Sequence, residues 1–475
     1  MKCPHCNEET PLTQDACVHC GLSLEFTADS VLEAPQRAEK PAETDWGPQL
    51  LRYAVVLALI AGALIWWGRS LRRLPAASVP PMEELQMTLP EPKVAFPRPT
   101  LPGAPPPPKL LEPTPIALPE PLPLPRAHAA FGSRDPRVRQ LFLERNGGDA
   151  ATEAAVKLGL EWLARTQDQD GAWDYTRYGV AEKHRGEQGY RPGIAGLALL
   201  AFLGAGHNHL DPGPHRDTVA KAIKYLLGIQ DPNGRFPGAL YAQGICTMAL
   251  VEAYGLTNDT SLLLPAQKGI EFIVSAQGAS GGWDYGPGGA RGDTSVTGWQ
   301  IMALKSARRV GIEFPNDVYE KALGFLAGVS REDGAVGYDT GGTGAWRTTS
   351  ALTAVGMNAL LFMGVEATDP RIQKALAIVL AALPKMPRPQ PGGSWNPRAD
   401  IYFWYHGSLA LSRLGGQEWA AWNARLKEIL LGLQDKEGDL KGSWQLAADT
   451  WGDRAGRVYF TALAIMSLQV YYRYD

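Results

Sequence analysis

The chain is 475 residues long, 45% apolar and 20% charged, a globular balance with room for two to four domains. A formal net charge of −3 gives no electrostatic reason to expect nucleic acid as a partner. Four of the five cysteines lie in the first twenty residues, which argues against a secreted disulfide framework.

Those four cysteines form two knuckles, Cys3-Pro4-His5-Cys6 and Cys17-Val18-His19-Cys20, ten residues apart. Thiolates of Cys3, Cys6, Cys17 and Cys20 can converge on one tetrahedral zinc ion, and residues 1–26 have no apolar core with which to fold otherwise. The segment resembles the small zinc ribbons that begin many bacterial membrane proteins. Two redox-active CxxC pairs would need a βαβ context that is missing here. His5 and His19 are expected beside the metal or in solvent rather than on it. Residues 27–49, rich in Asp, Glu and Pro, are expected to be a disordered spacer.

Residues 50–72 change character. Tyr53 to Gly68 carries no charge, and Arg52, Arg69, Arg72 and Arg73 flank it, so a single transmembrane helix extended by snorkelling arginines is expected. A cysteine-rich ribbon is safest in the reducing cytosol, so the ribbon is expected inside and the large domain outside, although arginine placement alone favours the reverse. Residues 73–132 follow as a proline-rich linker. Pro75 to Pro125 holds eighteen prolines, a composition that favours polyproline II. At ~3.1 Å per residue its reach is on the order of 150 Å, which makes it a stalk.

Residues 133–475 are helical in pattern and punctuated by a recurring turn. Gln167-Asp168-Gln169-Asp170-Gly171-Ala172-Trp173 and Gln230-Asp231-Pro232-Asn233-Gly234-Arg235-Phe236 are its full forms, and altered copies end in Trp283, Tyr338, Trp395 and Trp444. A period of roughly 50 to 60 residues signals a repeat architecture. Amphipathic helices are expected near 150–166, 216–229, 261–276, 315–329, 369–383 and 418–433. Helices apolar on most faces are expected near 191–205, 241–255, 294–310, 347–363, 401–414 and 456–472. One face for water and none for water are the marks of outer and inner positions, so six hairpins should form two concentric rings.

The Gln-Asp-x-x-Gly-x-Trp turns resemble the QW repeats of squalene and oxidosqualene cyclases. Residues 133–475 look like the prenyltransferase and squalene-cyclase repeat family, and the stretch Asp293-Thr294-Ser295-Val296-Thr297-Gly298-Trp299-Gln300 looks like the start of one of its inner helices. The resemblance implies an all-α (α/α)6 toroid with its pocket at the end where turns lead into inner helices. Asp293, Asp400 and His406 are the candidate catalytic groups there. Asp284, Tyr285, Trp346, Arg347, Tyr402, Trp404, Tyr405 and Arg457 are the candidate cavity-binding residues, with Asp174, Asp339, Trp451 and Tyr459 near them. An acid at a helix start reads first as a helix cap, which covers Asp293 and Asp400, and a histidine in an aromatic run such as His406 is more often a hydrogen-bonded packing residue than a general base.

The known reaction centres of such toroids are missing. There is no DxDD, the crowded carboxylates of squalene-hopene cyclases, and no DDxxD. Asp293-Thr294-Ser295 puts serine where protein prenyltransferases carry a zinc-binding cysteine, leaving His406 without a full ligand set. Arg185-Gly186-Glu187-Gln188 lacks the thiol of a thioester domain, and Cys246 is expected to be a core thiol. The main expectation is therefore a membrane-anchored binding or scaffold module that holds a lipid, peptide or glycan at the toroid mouth. The alternative is a terpenoid-cyclase-like enzyme working in an acidic, aromatic cavity. Elemental analysis of the intact chain is expected to find about one zinc ion per molecule, lost in Cys17→Ser; a metal-free wild-type chain would remove the ribbon.

Overall fold

The computed structural model describes residues 126–178, 189–340, 347–391, 396–444, 449–450 and 452–474. The zinc-ribbon cysteines, the 50–72 segment, most of the linker, Trp346, Trp395, Trp451 and the 185–188 motif lie outside the described residues. No described helix is long and apolar enough to cross a membrane.

The described chain starts with a 3-10 segment, Arg126–Arg134, whose first residues overlap the end expected for the linker. Helix α1, Pro136–Arg145, follows, capped by Asp135. Six helical hairpins come next. Their outer helices are α2 (Ala150–Thr166), α4 (Arg216–Ile229), α6 (Thr260–Ser275), α8 (Asp317–Val329), α10 (Pro370–Ala381) and α12 (Gly416–Leu433). Their inner helices are α3 (Arg191–Gly204), α5 (Leu240–Thr257), α7 (Thr294–Arg309), α9 (Ser350–Phe362), α11 (Ile401–Leu414) and α13 (Gly452–Leu468), and a short α14 (Val470–Arg473) ends the chain. Among the described residues, β pairing is confined to isolated bridges.

The two helix classes bury what their patterns dictate. In α4 only Val219, Ala222, Ile223 and Leu226 are buried, the i, i+3, i+4, i+7 stripe of an amphipathic helix. In α3 thirteen consecutive residues from Pro192 to Gly204 are buried. Each inner helix packs on the next, α3 on α5, then α7, α9, α11 and α13, and α13 packs back on α3. The ring is therefore closed. Small residues permit the approach: a methyl group at Gly244 of α5 would lie 3.0 Å from the Trp299 backbone carbon in α7.

The recurring turn makes three tethers. The Gln277 amide donates to the Gly281 carbonyl of its own turn at 2.7 Å and to Val318 O of the next outer helix at 2.9 Å. Gln167 does the same with Gly171 O and Thr218 O, and Gln230 with Gly234 O and Pro265 O. Gln434 bonds Gly442 O and, at 2.8 Å, Ala155 O of α2, so the last repeat grips the first. The Trp173, Trp283 and Trp444 indoles donate to carbonyls of their own outer helices, Leu163, Ile273 and Leu430. The backbone N–H of Trp283 donates to Thr297 Oγ1 on its own inner helix, and that of Trp444 to Thr461 Oγ1. Gly281 sits at φ +86°, and a Cβ there would lie 2.1 Å from Lys321 O of the next outer helix, so only glycine fits.

The end of the ring where inner helices finish is plugged by both ends of the described chain. Arg134 and Arg473 share one oxygen of Glu252, at 2.7 and 3.0 Å, all three fully buried. Arg134 also donates to Arg473 O, and Arg473 to Leu200 O. The opposite end, where inner helices begin, carries Asp293, Asp400 and the tyrosines near them, whereas Tyr405 lies beside Tyr474, Arg473 and Glu252 of the plug.

Replacing Gln277 by alanine leaves two carbonyls without their donor and is expected to cost about 1–3 kcal/mol in urea unfolding. The exposed Gln140→Ala serves as control and should stay within about 0.5 kcal/mol. Equal losses in the two variants would contradict the bridging role.

Candidate functional site

Asp293 is the N-cap of α7. Its Oδ1 accepts the Val296 N–H at 2.8 Å, and its own N–H donates to Trp283 O. The strand-like stretch before α9 stitches over it: Asp293 bridges Asp339, Thr294 N donates to Tyr338 O, and Thr294 Oγ1 donates to Gly337 O. Asp293 is fully buried and its Oδ2 has no hydrogen-bond partner. Burial pushes this carboxyl above the ordinary carboxylate range, against the Val296 N–H and the neighbouring Tyr338, which favour the charged form.

Around this acid stand four tyrosines. The Tyr285 and Tyr338 hydroxyls are 2.9 Å apart, and the Tyr241 and Tyr285 rings meet edge to face at 5.7 Å. Desolvation raises Tyr241 and Tyr402, and each feels the charge of Asp293, so both flank it. At the rim Arg291 bridges Asp284 at 3.0 Å and Asp339 at 3.3 Å. Arg347 lies over the Tyr338 ring at 5.3 Å, exposed and ahead of α9 rather than in the inner helix expected from 347.

Asp400 is the N-cap of α11, accepting the Phe403 N–H at 2.9 Å, while Asp449 accepts the Ile401 N–H. Burial raises the Asp400 carboxyl as well. His406 lies a turn and a half further along α11, fully buried, with neither ring nitrogen hydrogen-bonded. The Tyr402, Tyr405 and Trp299 rings surround it at 4.6, 5.2 and 5.6 Å, and Trp299 stacks on Tyr405 at 5.9 Å. Burial drives the imidazole down to about 3, so it is neutral.

The three catalytic candidates are thus not one constellation. Asp293 and Asp400 cap inner helices that are separated by α9, and His406 hydrogen-bonds neither. Among the described residues no group of three or more His, Cys, Asp or Glu is placed to hold a metal ion. Arg457 turns away from the opening: Nη1 pairs with Asp435 and bonds Ser443 Oγ and Trp444 O, locking α13 to the sixth turn. The kink at Gly456, φ +80°, makes that turn and falls where the inner helix was expected to start. Trp404 is buried. Tyr241 was missed from sequence, yet it is the second residue of α5, as Ser295 is of α7 and Tyr402 of α11, and that register could have revealed it.

The arrangement offers a buried carboxyl, raised above the ordinary carboxylate range by desolvation, beside phenol and indole faces, a set suited to donating a proton and stabilising nearby positive charge. The chain is an α/α toroid with an acid and aromatic mouth. No protein-family model matches it. In sequence it is similar to the drimenyl diphosphate synthase of Streptomyces showdoensis, 25% identical over 248 residues, covering 51% of this chain and 38% of that protein. The chain thus matches well under half the length of that curated relative. Among solved structures it is similar to the GH76A alpha-1,6-mannanase of Salegentibacter sp., with 12% identity, a TM-score of 0.49 and coverage of 68% of this chain and 100% of that one. It is also similar to the type II terpene cyclase MstE from Scytonema in complex with merosterolic acid A, with 15% identity, a TM-score of 0.44 and coverage of 67% and 96%.

A raised carboxyl pKa has a definite stability sign. The cost of ionising Asp293 is absent below the unfolded carboxyl pKa, about 3.9, grows as pH rises toward the folded value and is complete above it. Asn also caps helices, so Asp293→Asn should raise Tm at pH 7 by a margin that shrinks as pH falls toward 4. A margin that does not vary with pH would show that Asp293 ionises freely.

Proposed function

We propose that the mouth takes an isoprenoid chain and that Asp293, in its protonated form, delivers a proton to a carbon–carbon double bond, a terpenoid-cyclase-like reaction. The observation that carries this reading is the fully buried carboxyl with its free Oδ2 among aromatic rings. The sequence similarity to a drimenyl diphosphate synthase supports it. A carboxyl whose charged form is disfavoured by burial suits proton delivery better than the holding of a ligand, so the enzymatic alternative is preferred.

In this reaction the Asp293 proton joins one alkene carbon and leaves a cation on the other. The π faces of Tyr402, Tyr405 and Trp299 stabilise that charge, and the apolar interior keeps water from it. The Arg291 pair with Asp284 and Asp339 shapes the rim and Tyr285–Tyr338 the entrance. The zinc ribbon at Cys3, Cys6, Cys17 and Cys20, the anchor at 50–72 and the proline-rich stalk would tether the toroid to a membrane, from which an apolar substrate can partition, with the toroid outside the cytoplasm.

The full chain in detergent, incubated with squalene, farnesol or geranylgeraniol in deuterated buffer, is expected to yield cyclised product carrying one deuterium by mass spectrometry. Asp293→Asn should lower the rate by about 10²–10⁴-fold, the range for a lost general acid. Equal turnover by that variant, or no product from the wild type, would remove this reading.

A further inference from the structure

At the plugged end of the ring, the last turns of α7 and α11 bring four cations together. Lys305, Arg308 and Arg309 stand at i, i+3 and i+4 of α7, so they share one stretch of helix surface. Arg413 joins them from the last turn of α11. Lys305 is half-buried, and the charges it feels are those of Arg413, Arg309 and Arg308, all repulsive. Among the described residues no carboxylate pairs with Lys305, Arg308 or Arg413, whereas Arg134, Arg191, Arg457 and Arg473 each have one.

Aromatic faces position the guanidinium groups instead. Arg413 lies over the Phe362 ring at 4.9 Å, Arg308 over Phe314 at 4.6 Å and Tyr319 at 4.2 Å, and Arg309 over Phe131 at 5.7 Å. A ring beneath a guanidinium plane holds it in place and leaves the N–H donors at its edge available. Arg308 spends one of them on the Asn316 side chain, and Arg309 bonds Ala130 O. No hydrogen bond within the described residues takes up the Lys305 ammonium or the Arg413 fork. The carbonyl end of a helix attracts cations, which explains one or two basic residues in a last turn but not four converging from two helices.

We propose that Lys305, Arg308 and Arg413, with Arg309 beside them, form a binding site for a phosphate group. A dianion offsets the repulsion that the chain itself leaves standing. The guanidinium forks supply paired N–H···O bonds to its oxygens, and the lysine adds a point charge between them. Phosphate bound there joins the ends of α7 and α11, which α9 separates. Free inorganic phosphate and the head group of a phospholipid share this chemistry. The site is independent of the isoprenoid reading, because Lys305 lies about 18 Å along α7 from Asp293.

The test titrates the full chain in neutral detergent, at constant ionic strength in chloride, with inorganic phosphate and separately with dihexanoyl phosphatidic acid. Dihexanoyl phosphatidylcholine is the zwitterionic control, and heat is the readout. Saturable binding of a phosphate probe is expected, weakened by about tenfold or more in Lys305→Gln and in Arg413→Gln. Binding of inorganic phosphate identifies a free anion as the ligand, and binding of the phosphatidic acid alone identifies a lipid head group. A wild type that binds neither, or variants that bind as tightly as the wild type, would overturn the site. Each variant removes one repelled charge and is expected to keep the wild-type Tm; should one unfold, Arg308→Gln is read in its place. Asp293→Asn is expected to bind phosphate as the wild type does, so the site and the cyclase reading stand or fall separately.

Discussion

Everything in this toroid depends on a side-chain amide that belongs to one repeat and bonds the backbone of the next. In Gln167, Gln230, Gln277 and Gln434 the two amide hydrogens reach one carbonyl of their own turn and one of the following outer helix. A repeat so built specifies the position of its neighbour as well as its own shape. Because Gln434 finds its neighbour in α2, the series ends where it began, and no exposed terminal repeat is left to cap. The turn glycine enforces the same geometry, since a Cβ at Gly442 would lie 2.1 Å from Leu158 O of α2.

The bridge is not uniform. At the fourth turn Ser330 bonds Leu326 O of its own helix, and Lys374 reaches back to Glu332 O instead. The fifth turn carries its glutamine as Gln390-Pro391, followed by Gly392 and Gly393, and residues 392–395 lie outside the described residues. There the ring is held by its inner wall, with α9 packed between α7 and α11, and by Thr450, which bonds Ala399 O through both N–H and hydroxyl. Those repeats flank Asp293, Arg347 and Asp400.

At Asp293 two effects compete, and their sizes decide between them. The amino end of α7 favours a carboxylate by roughly 0.3–2 kcal/mol. Withdrawing that carboxylate from water costs several kcal/mol unless a cation or several donors replace the solvent. The nearby cation, Arg291, is engaged at the rim by Asp284 and Asp339, and the Val296 N–H and Tyr338 offset only part of the cost of burial. Burial therefore prevails, and a residue that reads locally as a helix cap has its carboxyl raised above the ordinary carboxylate range.

The sequence by itself determined the hairpins, because their causes are local. Glycine at a left-handed turn, a 3.6-residue apolar stripe and uniformly small apolar runs act over a few residues, and the outer helices begin and end within about two residues of the pattern's prediction. Asp293, Asp400, Tyr402, Tyr285 and Asp284 were legible as mouth residues for the same reason, since they open inner helices or follow turns. What only the tertiary structure decided is which of them meet. Tyr241 and Tyr338 come to Asp293, Arg457 swings outward to Asp435, and His406 lies below Tyr402 instead of beside the acids. Those outcomes depend on how far each inner helix rotates about its own axis when the ring closes. That rotation is set by packing between repeats more than fifty residues apart, which no local periodicity records.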